Sequence, residues 1–277
     1  MSDIMSCHQQ VSDFEEPAEA KPDFFGVLRM TAAFFLLLVL AVSCSYLPED
    51  EDLAGSNSFT ENTEYIRITP VNTQTEAVFL FLPGGLVDAH AYIPLMQMVA
   101  DNGIGVIIPK FSANLGMLEL SKAMKIVEEM PEVKSWYIGG HSLGGIVAQI
   151  SVYEHSELFN GLIFMGVYPA ENYPLSDWNK NVLSIYASND GLSTPDKITG
   201  TREFLPEAID IASAEALDTM ALSTPSTLFL LIQGGNHSQF GSYGFQKNDN
   251  KADISAGEQH TIVSQAISNF IFRNEEL

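Results

Sequence analysis

The stretch YIGGHSLGGIVAQ, residues 137 to 149, constrains the fold more than any other part of the chain. Ser142 stands between His141 and Leu143, with Gly140 two residues before it and Gly144 two residues after. The run SWYIGG that leads in is strand-like, and GGIVAQI that leads out is helix-like. A serine at so sharp a strand-to-helix turn is forced into an unfavourable backbone geometry, and side chains at 140 and 144 would collide across it.

The rest of the chain supplies a sheet to carry that turn. From residue 64, short apolar runs alternate with amphipathic segments, the pattern of strands and helices in turn. Strands are predicted at 76–83, 104–111, 135–140, 161–169, 181–188 and 226–235, and helices at 93–103, 118–130 and 255–272. The strands are nearly all apolar and therefore covered on both faces. The fold class is α/β, a mostly parallel sheet covered by helices on both faces. Right-handed crossovers place every strand-to-helix turn along the carboxyl edge of the sheet, where open α/β folds keep their sites. The run at 209–226 reads as an insertion at the opposite edge rather than a lid. Only eleven residues separate the runs ending at 169 and starting at 181, so no large cap domain is expected over the site.

With a strand before it and a helix after it, Ser142 matches the nucleophile elbow in context as well as in letters. A serine hydroxyl is a poor nucleophile until a base removes its proton, and the resemblance of this elbow to the α/β-hydrolase motif implies an acid and then a histidine on later strand ends. Of six histidines only His237 and His260 come late enough. His237 directly follows the strand STLFLLIQGG, whereas His260 reads as a surface residue of the last helix. Asp190, followed by Gly191 at the end of NVLSIYASNDG, is the predicted acid, whose task is to fix the imidazole tautomer and stabilise the imidazolium. Its competitors are Glu171 and Asp196, the latter read as the cap of the next helix. An oxyanion hole needs two backbone N–H donors. Leu143 is predicted to supply one, and Gly85 or Leu86, from PGGLVDAH, the other. Asp88 and His90 read as hydrogen-bonding groups of that loop, His141 as packing beside the elbow, and Asp249 and Asp253 as a charged loop with no set of metal ligands. No cofactor or metal is called for.

The formal net charge of −22 gives a field that repels phosphate backbones, which argues against nucleic acid as a partner. Both cysteines, Cys7 and Cys44, precede the body, so its nucleophile is not a thiol. The apolar run MTAAFFLLLVLAVS at 30–43 is short for a bilayer span and suits the apolar region of an export signal. Ala41 and Ser43 followed at once by Cys44 resemble the lipobox of bacterial lipoproteins, which implies cleavage before Cys44, acylation of its thiol and a membrane location on the exported side; an uncleaved signal anchor and a hydrophobic helix of the fold are the alternatives. The chain is thus divided into a signal segment at 1–43 with an acidic extension ahead of a start at Val27 or Met30, an acidic tether at 44–62, and one domain at 63–277.

The stretches LPGGLVDAHAYIPL, GGHSLGGIVAQ, IYASNDGLSTPDKI and GGNHSQFGSYGFQ resemble those of compact bacterial α/β-hydrolases allied to dienelactone hydrolases and small carboxylesterases. The likeness runs over residues 76 to 272 and implies Ser142, Asp190 and His237 as the triad. It departs from dienelactone hydrolase itself, whose nucleophile is cysteine. The resulting expectation is a serine hydrolase acting on a small-molecule ester through an acyl-enzyme. The alternatives are an acyltransferase with the same triad and a binding lipoprotein that has lost turnover.

Overall fold

A computed structural model describes residues 45–49, 58–220, 222 and 225–277. The strands are β1 (Ser58–Glu61), β2 (Tyr65–Thr69), β3 (Ala77–Leu82), β4 (Gly105–Pro109), β5 (Ser135–His141), β6 (Gly161–Met165), β7 (Asn181–Ala187), β8 (Glu207–Ile211) and β9 (Ser226–Ile232). The helices are α1 (Ile93–Asp101), α2 (Lys122–Glu128), α3 (Leu143–Glu154), α4 (Pro195–Thr199), α5 (Ala216–Thr219) and α6 (Ala256–Glu275). One sheet takes the strands in the order β1-β2-β4-β3-β5-β6-β7-β9-β8. β1 and β2 run antiparallel to their neighbours, and every other pairing is parallel. The α/β class with a mostly parallel sheet is as the sequence predicts.

Each of β5, β6 and β7 is buried at every position, which explains why they read as continuous apolar runs. Alternate side chains feed two cores. Phe79, Phe81, Ile163 and Ile185 pack with residues of α1, α5 and α6, whereas Leu80, Ile138, Phe164 and Phe229 pack with residues of α2, α3 and α4. A one-residue slip of β3 or β6 would exchange these two sets, so the cores on both faces fix the register of the central strands.

Three departures from the sequence reading matter. β1 falls within the stretch assigned to the acidic tether; all four of its residues are exposed, so no apolar signal marks it. Residues 45–49 also join the domain. Tyr46 N–H donates to Leu86 O (2.7 Å), Asp88 N–H donates to Tyr46 O (3.0 Å), and Glu49 N–H donates to Ser242 O (2.9 Å). The Tyr46 ring lies 5.5 Å from that of Tyr243. Finally, the run at 209–226 is not an insertion off the sheet. It contains the end of β8, a ninth strand at the sheet edge, and α5, whose Leu217 is fully buried.

Candidate active site

The chain turns from β5 into α3 at Ser142, whose φ of 51° and ψ of −123° lie in a region that residues with a side chain rarely adopt. Two hydrogen bonds hold it there: Ser142 N–H donates to Met165 O and Gly145 N–H to Ser142 O, both 3.0 Å. The flanking glycines are required sterically. A Cβ at Gly140 would come 2.5 Å from Leu82 O, and one at Gly144 would overlap the carbonyl oxygens of Leu82 and Pro83. β3 passes so close that only glycine fits, as the spacing of the motif predicts.

Asp190 follows β7 and His237 follows β9, which brings the two strand ends together although 47 residues separate them. Both side chains are wholly buried, and His237 Nδ1 lies 2.7 Å from Asp190 Oδ2. The other oxygen, Asp190 Oδ1, accepts from Leu192 N–H (2.8 Å) and Ser193 N–H (2.6 Å), which leaves Oδ2 aimed at the ring. With Nδ1–H donated to a carboxylate, the free nitrogen is Nε2, the tautomer a general base needs. Among the described residues His237 Nε2 has no hydrogen-bond partner. Gly166, at the end of β6, joins this pair to the serine. It directly follows Met165, the acceptor of the Ser142 amide, and a Cβ on it would sit 3.1 Å from His237 Nδ1 and 3.2 Å from Asp190 Oδ2.

Beside Ser142 lie two backbone amides for which no acceptor is recorded among the described residues, those of Leu143 and Gly85. Leu143 opens α3, so its N–H belongs to the unsatisfied, positively polarised end of a twelve-residue helix. Gly85 lies against it: a Cβ there would meet Leu143 Cδ2 at 2.9 Å. Leu86, the other donor expected from sequence, is excluded, because its N–H is already donated to Asn114 O at 2.7 Å. Tyr92 fixes the loop. Its hydroxyl oxygen accepts from Gly84 N–H (3.0 Å), and its hydroxyl lies in hydrogen-bond contact with His141 Nδ1 at 2.9 Å.

His141 is the packing residue predicted, fully buried with its ring centroid 4.4 Å from that of His237. Burial, and then the nearby His237, hold its pKa well below the ordinary histidine value, so it stays neutral. Beside Ser142 opens a cleft of about 330 Å³, lined on its apolar side by Leu143, Ile146, Val167, Tyr168 and Leu192 and on its polar side by Ser193 and Gln246. A larger hollow of about 590 Å³ lies at the opposite, amino edge of the sheet among Asn160, Lys180, Asn181 and Glu275, away from the serine and histidine. Among the described residues, no three His, Cys, Asp or Glu side chains are placed to hold a metal ion.

Glu171 and Asp196 are both exposed and away from the pair. The cap of α4 is Thr194, whose Oγ1 accepts from Lys197 N–H, and not Asp196. His260 is not a surface residue but is buried on the inner side of α6. Asp88 and His90 are loop groups as expected, with Asp88 Oδ1 2.7 Å from His90 Nδ1 and Glu61 3.2 Å from His90 Nε2. Asp249, read as part of a charged loop, is buried and hydrogen-bonded. Tyr92 and Gln246 were not singled out from sequence. Cys44 lies outside the described residues.

Solved structures share this fold at low identity. Est1E from Butyrivibrio proteoclasticus superposes with a TM-score of 0.53 at 11% identity, covering 81% of this chain and 100% of that one. A soluble variant of monoglyceride lipase from Saccharomyces cerevisiae gives 0.55 at 10%, covering 82% and 98%. Dienelactone hydrolase from Anabaena variabilis gives 0.50 at 13%, covering 79% and 96%. These likenesses speak to the fold alone. No curated protein matches the chain in sequence. The model of the alpha/beta hydrolase family, however, matches residues 78–223 and 218–261, which is more than half of the chain and includes Ser142, Asp190 and His237. The elbow, the sheet order and this match agree, and the chain belongs to the alpha/beta hydrolase family.

Proposed function

We propose that the protein is a serine hydrolase that cleaves small or short-chain carboxylic esters through an acyl-enzyme. The observation that carries this reading is the buried Asp190–His237 pair, whose Nε2 is unpartnered, on the sheet edge that also carries the strained Ser142. In the first half-reaction Ser142 Oγ comes within about 3 Å of Nε2, gives up its proton to it and bonds to the carbonyl carbon. The carbonyl oxygen becomes an oxyanion facing the Leu143 and Gly85 amides. Asp190 stabilises the imidazolium. Collapse of the intermediate breaks the bond to the alkoxy oxygen, which leaves as the alcohol with the proton from Nε2. Water then repeats the sequence, giving its proton to Nε2 and its oxygen to the acyl carbon, and the carboxylic acid departs as Ser142 regains its proton.

The short-chain preference is supported by the size of the cleft, at the low end of ligand pockets, and by the absence of any helix between β6 and β7 that could stand over it. The monoglyceride lipase among the structural neighbours favours ester bonds as the target. A panel of chromogenic esters of rising acyl length tests this. Turnover should be highest for the shortest chains and show no jump at a lipid interface. Ser142→Ala and His237→Ala should each lower kcat by roughly 10⁴ to 10⁶, with the double variant scarcely worse. Turnover retained by Ser142→Ala would overturn the reading.

The lipoprotein reading of residues 30–44 rests on sequence and is part of the same proposal. Tyr46 sits on the loop that carries Gly85, and only one residue, Ser45, separates it from Cys44, two chain steps with a reach of at most about 7 Å. An acyl group on Cys44 would therefore hold the catalytic edge of the sheet close to the membrane surface. Metabolic labelling with an alkyne fatty acid should mark the full chain and miss Cys44→Ser; an unlabelled wild type would remove the anchor.

A further inference from the structure

We propose that Asp249, outside the triad, is a positioning residue that locks the acid loop and the base loop together so that Asp190 and His237 meet. The inference rests on the triad reading above. Its basis is a carboxylate that bonds to the residue directly after the acid and to the residue directly after the base. Asp249 Oδ1 accepts from Gly191 N–H at 3.0 Å and from Asn250 N–H at 2.9 Å. Oδ2 accepts from Ser238 N–H at 2.8 Å and from Ser238 Oγ–H at 2.6 Å. Ser238 Oγ in turn accepts from Gln246 N–H (2.9 Å), which ties in a residue of the cleft.

Four donors converge on this group, and it is only 8% exposed. A carboxylate is the side chain of its size that accepts on both ends. An asparagine in its place must turn an NH₂ toward either the Gly191 and Asn250 amides or the Ser238 amide and hydroxyl. Donor then faces donor, and one of the two loops is released. Other bonds also join these loops, such as Asn189 N–H to Gly235 O, so the fold does not hang on Asp249 alone. Asp249 differs in gripping both triad loops one residue from the reacting groups. It does not line the cleft, so its loss should move the Asp190–His237 bond and leave substrate binding in place.

The test is a double-mutant cycle on the full chain. Asp249→Asn should lower kcat on the order of 10²-fold, the effect of a shift of about 1 Å in a reacting group, while KM for a short ester stays within about 3-fold. In an Asp190→Asn background, where the bond it serves is already gone, the same substitution should change kcat by less than about 3-fold. A role in fold stability alone would give the same loss in both backgrounds and would overturn the proposal. A second readout does not need turnover: the low-field proton resonance of His237 Nδ1–H should be present in wild type and lost in Asp249→Asn at unchanged far-ultraviolet circular dichroism. A wild type that shows the resonance but cleaves no ester would sink the proposed function and leave the positioning role standing; a resonance that survives in folded Asp249→Asn sinks the positioning role. Should Asp249→Asn fail to fold, Ser238→Ala, which removes one of the four bonds, should give a smaller loss of kcat that again vanishes beside Asp190→Asn; a loss that persists there contradicts it.

Discussion

Replacing Ser142 by glycine should leave the protein more stable than replacing it by alanine, although both variants lose the hydroxyl. At φ 51° and ψ −123° a residue with a Cβ carries strain on the order of 1–3 kcal/mol, and alanine inherits it. Glycine visits positive φ freely and releases the strain, but it also widens the unfolded ensemble, at a cost of about 0.5–1 kcal/mol. At the middle of these ranges the balance favours glycine by about 1 kcal/mol. The elbow backbone need not relax for this to hold, because its bonds to Met165 and Gly145 are main-chain and survive both substitutions. Urea titrations of the two variants measure the difference directly, provided their m values agree. The thermal midpoints should differ in the same direction by roughly 1–8 °C for a domain of this size. If alanine proves as stable as glycine, the elbow is unstrained and its steric explanation is wrong.

Two further outcomes follow from the residues around the elbow. Tyr92→Phe strips the Gly84 amide of its acceptor and should cost about 1–3 kcal/mol in stability, with kcat for a short ester falling because the Gly85 amide beside it loses its support; unchanged kcat would detach Tyr92 from the oxyanion site. His141 has a folded-state pKa below its unfolded value of about 6.5, so the unfolded chain binds the extra proton and stability is lost as pH falls below that value, by about 1.4 kcal/mol per pH unit until the folded pKa is reached. His141→Gln should remove that part of the slope in denaturation curves taken at about pH 7.5 and about pH 5.5, on either side of the unfolded value; an identical slope would mean that His141 charges in place.

The sheet edge that carries the candidate site was legible because its signals are local. The elbow is written in five consecutive residues, and Asp190 and His237 each directly follow an apolar strand, so order and edge alone select them. What escaped depends on partners distant in sequence or on exposed backbone. β1 and most of β8 are exposed edge elements, and neither SFTE nor EAIDI offers the apolar run that marks the buried strands. The choice between Gly85 and Leu86 is made by Asn114 O, in the loop after β4, which no motif connects to them. Asp249 stands in a stretch rich in Asn, Asp and Lys that has the composition of a solvated loop; its partners are main-chain amides 58 and 11 residues away, and main-chain donors leave no mark on side-chain pattern. His260 was misplaced because helix α6 turns more of its polar residues inward than an amphipathic reading allows, with Gln259, His260, Ser264 and Ser268 all buried.

The most direct test of Ser142 as the nucleophile is peptide mapping by mass spectrometry after reaction with a fluorophosphonate. The serine oxygen displaces fluoride at phosphorus and keeps the phosphonyl group, because the adduct cannot be released by the route that frees an acyl group. Ser142, activated by His237, should carry the whole label in wild type, and the label should be absent from Ser142→Ala and strongly slowed in His237→Ala. Label found on another residue, or undiminished in folded Ser142→Ala, would contradict the assignment of the nucleophile and the mechanism built on it.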